Sequence, residues 1–75
     1  MERDDRPVRT AVIQRSDAGY PSAETVERYM PSGYQVSGVS DTEVVISGKD
    51  YAGWTMDSYV IPRLASGMIF AREVL

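Results

Sequence analysis

Residues 53–75, GWTMDSYVIPRLASGMIFAREVL, carry the densest structural signal in the chain. Thr55 precedes apolar residues at Met56, Tyr59, Val60 and Leu64, a spacing that places them on one face of a helix. Thr55 can cap that helix by accepting a hydrogen bond from an early backbone N–H. Asp57 in the first turn and Arg63 in the last suit the two ends of the helix dipole. Pro62 interrupts the pattern, because a proline inside a helix removes one backbone bond and costs about 3 kcal/mol. The expectation is a kinked or two-part helix, closed by Gly67 in the left-handed conformation. Residues 68–75 then read as a strand. Ile69, Ala71 and Glu73 share one face, and Met68, Phe70, Arg72 and Val74 the other. Two largely apolar faces predict a place inside the sheet rather than at its edge.

Working outward, residues 43–48 (EVVISG) are rich in β-branched side chains, and residues 34–40 (YQVSGVS) alternate. Together they predict a hairpin turning at Asp41–Thr42. Residues 23–30 form a short helix with Ser22 as cap and an apolar face of Val26, Tyr29 and Met30. Residues 8–15 (VRTAVIQR) form the first strand, followed by turn chemistry at residues 16–19 (SDAG). Residues 1–7 (MERDDRP) read as a flexible tail, and residues 8–75 as a single α+β domain. The order strand, helix, strand, strand, helix, strand is that of a compact βαββαβ ferredoxin-like sandwich, with a four-stranded antiparallel sheet and two helices on one face. The alternative is a looser α+β fold in which the Pro62 region is not helical.

Seventy-five residues with no Cys and no His leave the domain without disulfides and without the usual zinc ligands. A chain of this size is only modestly stable alone, so a homo-oligomer or a protein partner is expected. A formal net charge of −3 argues against general binding to a phosphate backbone. No apolar run approaches the roughly 20 residues that span a bilayer. No secretory signal is visible, and a cytoplasmic protein is expected.

The candidate chemistry is thin. Residues 48–53 (GKDYAG) read as a loop with Gly at both ends, and the carboxylates nearest it are Asp50 and Asp57, but a loop aspartate and a first-turn helix aspartate explain them more simply than a catalytic pair. Ser47, Thr55, Ser58 and Ser66 lack a nearby base other than Lys49. Gly48-Lys49-Asp50 departs from the phosphate-binding loop pattern at positions 43 and 50. No enzymatic role, metal or cofactor is expected. Lys49, Tyr51, Trp54, Tyr59 and Arg63 gather around the loop and second helix, and Tyr, Trp and Arg are enriched at binding hot spots. These five form the candidate contact surface for another protein, or for a second copy of the chain. A core role for Trp54 is the competing reading.

The block Asp50-Tyr51-Ala52-Gly53-Trp54-Thr55-Met56-Asp57, continuing through Tyr59-Val60-Ile61-Pro62-Arg63-Leu64-Ala65-Ser66-Gly67, resembles one in short uncharacterised proteins of actinobacteria and their phages. The resemblance implies no activity. It suggests a phage-related accessory factor that modulates a host protein. The expectation is therefore a small non-enzymatic protein-binding module. The alternatives are a dimeric small-ligand-binding module and, behind it, a single-stranded nucleic-acid binder.

Overall fold

The computed structural model describes residues 6–74. Its elements are β1 (Val8–Gln14), α1 (Ala23–Arg28), β2 (Tyr34–Val39), β3 (Glu43–Lys49), a π-wound segment (Met56–Val60) running directly into α2 (Ile61–Ser66), and β4 (Ala71–Val74). The strands form one antiparallel sheet in the order β2-β3-β1-β4. This is the βαββαβ arrangement of a ferredoxin-like sandwich. No helix among the described residues is long and apolar enough to cross a membrane. Residues 1–5 of the expected tail lie outside the described residues.

Alternation along each strand decides what the core contains. Ala11 and Ile13 from β1, Val44 and Ile46 from β3, and Tyr34 from β2 point to one side of the sheet. Val26 of α1, Met56 and Val60 of the π-wound segment, Leu64 of α2 and Ile69 close over them. The helical stripe expected from Met56, Tyr59, Val60 and Leu64 is present, with Tyr59 half-buried and the other three fully enclosed. Removing one of these side chains leaves a cavity; Leu64→Ala belongs to a class that costs about 2–5 kcal/mol.

The second helix is in two parts, and Pro62 accounts for the division. Thr55 caps the first part by accepting from the Ser58 N–H. The Val60 N–H then reaches back five residues to the Thr55 carbonyl, and the Ile61 N–H to that of Met56. This wider winding ends where α2 begins, so Pro62 falls in the first turn of an α-helix. A missing N–H is tolerated there.

Three local expectations are corrected. Gly67 is not left-handed: its φ is −98°, and Met68 takes φ 63° in its place. The Met68 N–H donates to the Ala65 carbonyl and the Ile69 N–H to that of Leu64, which is a Schellman closure with methionine at the position glycine usually occupies. Gly67 is needed for space instead. A Cβ there would lie 2.4 Å from the Tyr29 ring. Second, α1 ends at Arg28, and Tyr29 and Met30 form the turn that leaves it.

Third, β4 begins at Ala71 and is an edge strand, not an inner one. Phe70, assigned to a central strand from sequence, precedes this edge and is 68% exposed. Its apolar surroundings misled because the fold has two layers. Side chains on the sheet face away from the helices have no second layer to enter, however apolar they are.

Candidate functional site

At the end of β3 the chain leaves the sheet through Asp50, and this side chain gathers several elements. Asp50 Oδ1 accepts from the Tyr34 hydroxyl at 2.6 Å and from the Met56 backbone N–H at 3.0 Å. Oδ2 pairs with Arg9 Nη1 at 2.8 Å. Arg9 Nε in turn bonds Glu73 of β4. One carboxylate therefore joins β1, β2, the start of the π-wound segment and, through Arg9, β4. Met56 opens that segment, so the charge also sits at the favourable end of its dipole. Burial alone would push the Asp50 carboxyl up. The Tyr34 hydroxyl, the Met56 N–H and Arg9 outweigh it and hold the pKa below its ordinary value of 3.8. Burial, followed by the bond to Asp50, pushes the Tyr34 phenol well above its usual range. The bond to Glu73 raises the Arg9 guanidinium above its usual range as well.

This network anchors the loop that follows. Tyr51 and Trp54 exchange backbone hydrogen bonds of 3.1 and 2.9 Å across a tight turn. Trp54 lies over Tyr59, with ring centroids 4.6 Å apart and planes tilted by 32°. Arg6, from the other end of the chain, stacks its guanidinium 4.1 Å above the Tyr51 ring and donates to the Asp50 carbonyl at 3.2 Å. Tyr51 is 57% exposed and Trp54 49%. With Ser32 and Ala52 they line a mostly apolar notch of about 240 Å³.

Of the five residues named from sequence, the structure brings Tyr51, Trp54 and Tyr59 together. Trp54 is half-exposed and lies outside the buried core cluster. Arg63 is directed elsewhere: its Nε donates to the Tyr29 carbonyl at 3.1 Å and ties α2 to the end of α1. Lys49 is the last residue of β3, opposite Val8. Alternation with the buried Val44 and Ile46 places it on the face of the sheet away from the helices.

Sequence reasoning missed Asp50, Arg9, Tyr34 and Glu73 as a unit. From sequence Asp50 reads as a plain loop aspartate. The one available signal was an alternating strand, VRTAVIQR, that set a charged residue at Arg9 near apolar neighbours. Asp57, the other carboxylate considered, is exposed on the π-wound segment. Among the described residues no group of three carboxylates is placed to hold a metal ion. Comparison with family models, curated proteins and solved structures returned no match to the chain.

Proposed function

We propose that the chain is a protein-binding module that receives an apolar side chain of its partner in the notch between Tyr51 and Trp54. The observation that carries this reading is the aromatic ledge itself. Trp54 is half-exposed yet stacked on Tyr59, and its backbone is tied to Tyr51 next to the Asp50 network. Aromatic side chains held this way bind without losing much conformational entropy. The notch, at about 240 Å³, falls below the roughly 300–1,000 Å³ of typical small-molecule sites. That size supports a partner's side chain over a metabolite. The narrower role of an accessory factor acting on a host protein rests on the resemblance over residues 50–67.

The test is Trp54→Ala. The variant is expected to stay folded by circular dichroism and to lose the proteins that the wild-type chain retains from a host lysate, as identified by mass spectrometry. An unfolded variant would make Trp54 a core residue, and an unchanged set of captured proteins would remove the ledge from binding. Thermal-shift screening with metabolites separates the small-ligand alternative, because a ligand that binds only the folded state raises its stability by mass action.

A further inference from the structure

The sheet face away from the helices has its own pattern. Val12 and Val45 lie side by side at its centre, with Val8, Val74 and Phe70 around them. Val8, Val74 and Phe70 are all more than half-exposed. A shallow depression of about 300 Å³ lies between Val12, Gln14, Phe70 and Arg72. Glu43 and Lys49, of opposite charge, stand on this face at the two ends of β3, each three residues from Ile46.

We propose that this face binds a second copy of the same chain, with the two sheets stacked about a two-fold axis that crosses the strands at the level of Ile46 and Ala11. Those two residues are direct partners in the β1–β3 ladder, so one axis perpendicular to the strands, lying between the two stacked sheets, runs level with both. The axis sets each strand over its own copy in the reverse direction. Residues equidistant from Ile46 on β3 then face each other. Glu43 falls over Lys49 of the second copy, and Lys49 over its Glu43.

The same operation brings Val8 and Val74 of the second copy over the depression beside Phe70 and Val12. It sets Arg72 over Val74 of the second copy, where its aliphatic stem can pack. Charge and shape are satisfied by one rotation, which is the self-complementarity that a two-fold contact requires. Strands about 4.8 Å apart and residues about 3.4 Å apart give a face of about 400 Å² in projection. With side-chain relief added, it approaches the roughly 600 Å² per partner at the small end of specific interfaces. This contact lies on the opposite layer from α2 and is separate from the Tyr51–Trp54 notch.

Sedimentation equilibrium of the purified chain tests it. The wild type is expected to be a dimer that dissociates on dilution. Glu43→Lys alone and Lys49→Glu alone each set like charges face to face and are expected to weaken the dimer about tenfold or more. The double exchange, Glu43→Lys with Lys49→Glu, is expected to restore it. Phe70→Ser, at an exposed position, is expected to give a folded monomer. A wild-type monomer at all concentrations overturns the proposal. So does a dimer indifferent to Phe70→Ser and both single exchanges, or single exchanges whose effect the double one does not reverse. Trp54→Ala is expected to leave the dimer intact, which separates this contact from the proposed partner site.

Discussion

Gly67 and Met68 show how one backbone position is settled by its neighbours. Composition alone assigns the left-handed conformation to glycine, because a Cβ makes that region costly for other residues. Here the Tyr29 ring occupies the space a Cβ on residue 67 would need. The glycine is used for clearance, and Met68 takes the φ of 63°. Met68 is 70% exposed, so replacing it removes little packing. Met68→Gly is expected to stabilise the fold by about 1 kcal/mol. Thermal unfolding would show this as a melting temperature several degrees higher, since about 1 kcal/mol moves a domain of this size by roughly 4–8 °C. A lower melting temperature would mean that the Met68 side chain makes contacts the strain argument ignores.

At the scale of the element, the second helix was legible in outline. Its cap, apolar stripe and division near Pro62 all follow from local chemistry and are present. The winding of the first part was not legible, because capping and periodicity describe a π-wound turn and an α-helical turn almost equally well over five residues. The Thr55 cap carries more weight than usual in so short a segment, since a few backbone bonds cannot hold it without help. Thr55→Ala is expected to cost about 1 kcal/mol, read as a lower midpoint in urea with an unchanged slope. An unchanged midpoint would assign the start of the segment to the Asp50–Met56 bond alone. Strand β4 shows the opposite limit. Its apolar residues were legible, but its place at the sheet edge was not, because a strand's own pattern does not state how many strands pair beside it, and β4 pairs with β1 alone.

At the scale of the molecule, the Asp50 network is a polar device that joins the strands to the π-wound segment. It also makes stability depend on pH. The folded-state pKa of Asp50 lies below the ordinary 3.8, so the ionised form favours the fold. Its contribution is complete above the ordinary value and is lost as pH falls through the lower folded-state value. Asp50→Asn is expected to destabilise the protein at neutral pH and to flatten the acid side of its stability profile. Urea unfolding at a series of pH values measures both effects. An acid limb as steep in the variant as in the wild type would place the responsible carboxylate elsewhere.

The sequence by itself determined the order of elements, the N-caps of both helices, the break near Pro62 and the helices' own share of the core (Val26, Met56, Val60 and Leu64), because these depend on neighbours within a few residues. It also marked Tyr51, Trp54 and Tyr59 as a local cluster, since they lie on one loop and the turn that follows it. Only the tertiary structure decided that Arg9 meets Glu73, 64 residues away, that Asp50 binds both Arg9 and Tyr34, and that Arg63 serves α1 rather than the aromatic ledge. It alone decided which face of the sheet the helices cover. Those outcomes follow from strand order and from which layer lies over which face, both of which are set by pairings between distant parts of the chain.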